Sequence, residues 1–228
     1  MTTLVAFVLV LSAWNDKQSQ PTKVAVPAST ARLLPTGLPA PLVISRVDSL
    51  SLWLPIARNA VTAIGYHASP DTIAQSPEGR QANEGLFARL YHRIVGDGGS
   101  GQLEYYRISG GEGPSTGALD VGAAPRVDVF SPVAGTIVAI SNYIVNGKRY
   151  GVRLDIRPND DPTLIVSITH LKLDPAWEVG AVVVSGRSRL GTVVDLSRVE
   201  KQALARYTQD EGNHVTIEVR SGAASFQP

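Results

Sequence analysis

The 228-residue chain contains no cysteine. That absence excludes disulfides, thiolate metal sites and cysteine nucleophiles together. It also removes the residue a lipoprotein would acylate after its first apolar segment. Charge of one sign is missing too. The formal net charge is +1, and no basic run stands out, which argues against nucleic acid as a partner. Long apolar runs are absent as well. The run over residues 4–11, within "MTTLVAFVLVLSAW", is far short of the roughly 20 residues a membrane-spanning helix needs. Its length is that of a signal-peptide apolar core, although basic residues before it are lacking. Histidine is scarce: His67, His92, His170 and His214 are the full set. Any metal centre must therefore be built from these imidazoles and from carboxylates.

What is present divides the chain into four stretches. Residues 1–14 are expected to form an export or anchor segment, the only part by which the chain would meet a membrane. Residues 15–42, "NDKQSQPTKVAVPASTARLLPTGLPAPL", are rich in Pro, Ser and Thr, which suits a linker and disfavours a helix. Residues 43–109 read as an N-terminal extension. Within it, Leu86, Leu90 and Ile94 recur at helical spacing, predicting one helix over 86–95 that carries His92 near its end. Residues 110–222 change character. "RVDVFSPVAGTIVAISNYIV", "RYGVRLDIRP", "TLIVSITHLKL", "LGTVVDL" and "HVTIEV" are short β-branched runs separated by Gly, Pro, Asn and Asp. The expectation is a mainly β fold, an antiparallel sandwich or barrel-sandwich hybrid. A second helical rhythm, at Val199, Leu204 and Tyr207, interrupts it.

Two motif matches carry no chemistry. "GDGGSG" fits a dinucleotide-binding glycine pattern, but it follows a helical segment and precedes a strand-like one, the reverse of what pyrophosphate binding requires. Ser167, His170 and Asp174 contain the residue types of a hydrolase triad without the sharp turn that frames the nucleophile.

The β half supports a more specific reading. "TGALD", "APRVDVFSPVAGTIVAI", "YGVRLDI", "ITHLK", "VGAVVVSGRSRLGTV" and "HVTIEV" occur in the order and at the spacing of the motifs of the lysostaphin or LytM-type zinc endopeptidases, which cut peptide bridges in bacterial cell walls. Each element alone is unspecific; six in order resemble that family. The resemblance implies the duplicated hybrid-motif fold and a groove for extended peptides. It implies metal ligands at Thr116, Asp120 and Thr216, and catalytic histidines at His170 and His214. Of the three ligand positions only Asp120 has a residue suited to zinc, because a neutral threonine hydroxyl is a poor donor. His67 and Asp71 in "GYHASPD" repeat an H-x-x-x-D pattern, so His67 is a possible substitute ligand if the extension folds across the groove. The plain alternative for His67 is a surface or interface histidine. The hairpin-like "SPVAGTIVAI" and "VGAVVVSGRSRLG" also resemble lipoyl-type carriers, but the lysine such carriers modify is missing from the expected tip.

The expectation is therefore a degenerate member of the family, exported to the bacterial cell envelope or beyond. It would bind peptidoglycan or an extended peptide, or regulate a cell-wall hydrolase, with no cofactor required. The alternative is an active zinc endopeptidase with altered ligands, drawn from Asp120, His170, His214 and His67.

Overall fold

In a computed structural model that describes residues 37–39, 41–83, 103–197, 199 and 201–223, the β-branched runs become strands of two sheets. The smaller joins β1 (Val43–Val47), β2 (Leu50–Trp53) and β4 (Ser76–Pro77) in the order β2-β1-β4. The main sheet contains β3 (Val61–His67), β5 (Arg80–Gln81), β6 (Glu104–Arg107), β7 (Ala118–Ala123) and β8 (Asp128–Phe130). It continues with β9 (Gly135–Val145), β10 (Lys148–Pro158), β11 (Leu164–Leu173), β12 (Val182–Val183), β13 (Arg189–Val193) and β14 (His214–Ser221). Its path is β12-β9-β10-β11-β14-β7-β3-β6-β5, with β13 bridging β11 and β8. The fold is mainly β and mostly antiparallel, with parallel pairing at β3–β6 and β5–β6.

Local sequence explains the longest hairpin. β9 and β10 are joined by Asn146-Gly147, both with positive φ (49° and 75°), and this two-residue turn matches the twist of the strands it connects. Along β10 the alternation Val152, Leu154, Ile156 buries one face. The same period runs through β7, where Leu119, Val121 and Ala123 enter the core, and through β14, where Val215, Ile217 and Val219 do. At about 25 cal/mol per Å² of apolar surface, such strands are held mainly by the face they bury.

The segment expected as an extension is not set apart from the β region. β3 pairs antiparallel with β7, from Val61↔Ala123 to His67↔Ala118. Trp53 N–H donates to Pro132 O, and Phe130 N–H to Pro55 O, so residues before 60 pin the "SPVAG" stretch. Leu50, Leu52, Leu54 and Ile56 are fully buried in the common core. The reason is the edge of β7, whose N–H and C=O groups need a partner on both sides once the strand is buried. The helix expected over 86–95, with His92, lies outside the described residues, as do the segment 1–14 and most of the linker.

The second helical rhythm is corrected. Among the described residues of 195–207 the helical element is a short 3-10 turn, Ala203–Arg206. Asn213 Oδ1 accepts from Leu196 N–H and Asp195 Oδ1 from Ser197 N–H, so side chains fix the chain where this segment begins. Among the described residues no helix is long and apolar enough to cross a membrane.

Candidate functional site

A cavity of about 590 Å³ lies across one face of the main sheet, from β9 to β3. Its floor follows from strand alternation. On β7 the residue that faces away from the core between Ala118 and Gly122 is Asp120, which lines the cavity although it is only 3% exposed. Directly opposite on β14 stands Thr216, and β14 pairs in turn with β11 at Thr216↔Thr169. Strand period puts His214, Thr216 and Glu218 on one face of β14, and the β7–β14 register sets Asp120 beside them.

His170 arrives there by a different route. Val152 pairs with Leu171, and Leu154 with Ile168, so Thr169 and His170 together oppose the single residue Arg153. This bulge gives His170 a φ of +59° and turns both side chains toward the cavity. Leu171 then returns to the core. Gly151 faces the irregular stretch with φ +97°, where an added Cβ would come within 2.5 Å of Leu171 O. Val194 N–H, donating to His170 O at 3.1 Å, holds the bulge from the other side.

Asp120 is the hub of the site. Thr216 Oγ1 donates to Asp120 Oδ1 at 2.8 Å. His67 Nε2 and His214 Nε2 lie 3.4 and 3.5 Å from the same oxygen. Each of these two imidazoles has its Nδ1 at a backbone carbonyl, Ala68 O at 2.8 Å for His67 and Gly212 O at 2.9 Å for His214. Thr216 has one hydroxyl proton and gives it to Asp120, so in its 3.4 Å contact with His170 Nδ1 the imidazole is the donor. The rings of His170 and His214 meet edge to face at 4.8 Å, and Tyr143 meets His170 at the same distance.

Electrostatics follow from this packing. The hydrogen bond from His67 to Asp120 outweighs burial and raises the His67 pKa to about 9. Burial works to raise the Asp120 carboxyl, but the facing His214, the His67 bond and the Thr216 hydroxyl win, holding it well below the usual carboxylate range. His170 is pushed down to about 3, chiefly by burial and then by the neighbouring His214, so it stays neutral.

The cavity brings together Asp120, His170, His214, Thr216 and His67. Thr116 does not join them. It precedes β7, is buried, and its carbonyl accepts from Gln75 N–H. His67, for which sequence left a surface role open, is placed beside Asp120 by the β3–β7 pairing. The flank formed by 201–207 had no signal in sequence. Lys201, Gln202 and Ala203 border the cavity there.

A zinc ion with three protein ligands fits these residues poorly. Among the described residues no group of three His, Cys, Asp or Glu side chains is set to hold a metal, and Thr216 Oγ1 donates to Asp120 Oδ1. The two imidazoles approach that oxygen from opposite diagonals, because His67 pairs with Ala118 on one flanking strand and His214 with Gly122 on the other.

No protein-family model matches the sequence, and no curated protein does. Solved structures give a partial likeness. The solution structure of lysostaphin is 15% identical over 46% of this chain and 36% of its own, with a TM-score of 0.33. The match therefore spans little more than a third of the lysostaphin chain. The M23 metalloprotease pseudoalterin from the deep sea is 14% identical over 76% of this chain and 72% of its own, with a TM-score of 0.37. In the order of its motifs and its mainly β fold this chain is similar to the lysostaphin-type peptidases, with threonine at two of the three positions where that resemblance implies metal ligands.

Proposed function

We propose that this chain is a peptidase-like domain that binds extended cell-wall peptide without metal-dependent hydrolysis. The observation that carries the reading is the Thr216 Oγ1–Asp120 Oδ1 hydrogen bond, which satisfies the carboxylate where an imidazole and a metal would otherwise stand. A buried carboxylate with a hydroxyl donor and two imidazoles is a closed network. It has no means of lowering the pKa of a water to near 7, the step a catalytic zinc supplies. The cavity itself remains, lined by polar side chains that include Ser141, Asn142 and Gln202. Regulation of a cell-wall hydrolase through the same groove, and export to the bacterial envelope, belong to this reading.

The rival reading is an active zinc endopeptidase that uses Asp120, His67 and His214, with His170 assisting. The position of His67 favours it; the hydrogen bond that Thr216 gives Asp120 counts against it. Zinc titration calorimetry separates them. The wild type is expected to show no stoichiometric zinc binding, and Thr216→His, which sets an imidazole directly opposite Asp120, is expected to raise zinc affinity. Tight binding by the wild type, lost on Asp120→Ala or His67→Ala, would establish the rival. The binding reading itself is tested by co-sedimentation with insoluble peptidoglycan, where the wild type should be retained and release no peptides.

A further inference from the structure

We infer that the ligand of this groove carries a carboxylate, seated against Lys201. This rests on the peptide-binding reading above and specifies the class of peptide. The argument begins with the charges that line the cavity. His67 faces Asp120 at 3.4 Å. Arg153 is paired with Asp155 at 2.9 Å and also donates to Ser167 Oγ at 3.0 Å. Glu218 is paired with Arg220 at 2.7 Å and accepts from Ser69 Oγ at 2.6 Å. Lys201 is the cavity-lining charge without a partner among the described residues, and it is exposed.

The segment that presents Lys201 is built into the fold. Leu204, fully buried, lies over Gly65 of β3 and Gly122 of β7, where an added Cβ would meet its methyl carbons at 2.9 and 2.8 Å. Tyr207 stacks on Tyr106 of β6 with ring centroids 4.5 Å apart. Gln202 is buried beside the lysine. Two glycines on the cavity face, Gly65 beside Asp120 and Gly122 two residues further along β7, thus make room for the turn that sets Lys201 at the rim. An ammonium held at a groove whose other charges are already neutralised selects an anion, and on an extended peptide that anion is a carboxylate.

The test compares native insoluble peptidoglycan with the same material after its carboxylates are amidated by carbodiimide and methylamine. The wild type should bind the amidated form about tenfold more weakly, the change expected for one charge-assisted contact. Lys201→Gln should bind both forms equally, at that weaker level. Equal binding of both forms by the wild type, or full discrimination by Lys201→Gln, overturns the inference while leaving the peptide-binding reading intact. Binding of neither form by the wild type overturns the reading and the inference together. Two soluble competitors separate the sources of the carboxylate: penta-alanine with a free C-terminus, and C-terminally amidated penta-alanine with a central glutamate. A Lys201-dependent advantage of either over plain amidated penta-alanine supports the inference and names the source; no advantage for either overturns it.

Discussion

Asp120, His67 and His170 set opposing demands on pH. His67 has its folded pKa raised to about 9, so its contribution is fully present below the unfolded value near 6.5 and is lost as pH rises toward 9. His170 has its folded pKa lowered to about 3. The unfolded chain therefore takes up its proton first as pH falls below 6.5, and stability drops by up to about 1.4 kcal/mol per pH unit from this group. Asp120, held low, adds a further loss once pH falls below the unfolded carboxylate value near 4. Urea-unfolding midpoints should accordingly peak near pH 6.5, with an alkaline limb removed by His67→Gln and an acid limb flattened by His170→Gln. An alkaline limb unchanged in His67→Gln would mean that its bond to Asp120 contributes nothing in solution. The residue scale was only half legible from sequence. The family resemblance named Asp120, His170 and His214 as site positions, but gathering them at one cavity took the β7–β14 pairing and the β11 bulge, and His67 took the β3–β7 pairing, none of which a local pattern announces.

The turn over 201–207 governs the element scale, because it covers part of the sheet face that also carries the site. Its anchor is one leucine packed on two glycines. Leu204→Ala should cost about 2–5 kcal/mol if the void does not collapse. Hydrogen exchange of amides across 201–207 should speed up more than that of β9 and β10, a difference that a merely global loss of stability would not produce. In place of the expected helix stands a 3-10 turn over Ala203–Arg206, whose Leu204 packs on Gly65 and Gly122 of the sheet. Strand existence in the second half was legible, since Gly, Pro and Asn punctuate β-branched runs. The Asn146-Gly147 hairpin is the clearest instance.

Across the whole molecule, the boundary read at residue 110 is the point that tertiary structure redraws. A chain beginning at Gly110 would lose β3, and with it the partner of β7, the hydrogen bonds from 53–55 to 130–132, and the buried side chains Ile44, Leu50, Leu52, Leu54 and Ile56. Burying one such side chain stabilises by about 1.5–3 kcal/mol, and a domain's net stability is typically about 5–15 kcal/mol. The truncated chain should therefore show no cooperative thermal unfolding. A sharp transition close to that of the full chain would restore the two-part division.

By itself the sequence determined the mainly β class, the strands of the second half and the absence of thiol chemistry. Each of these depends on period two, on turn residues or on composition, all of which are local. Only the tertiary structure decided that β3 joins the sheet, that His67 reaches Asp120, that Thr116 stays out of the cavity and that Lys201 stands at its rim. Those outcomes depend on pairing between segments far apart in the chain, which is set by the need to satisfy buried backbone groups and fill one shared core.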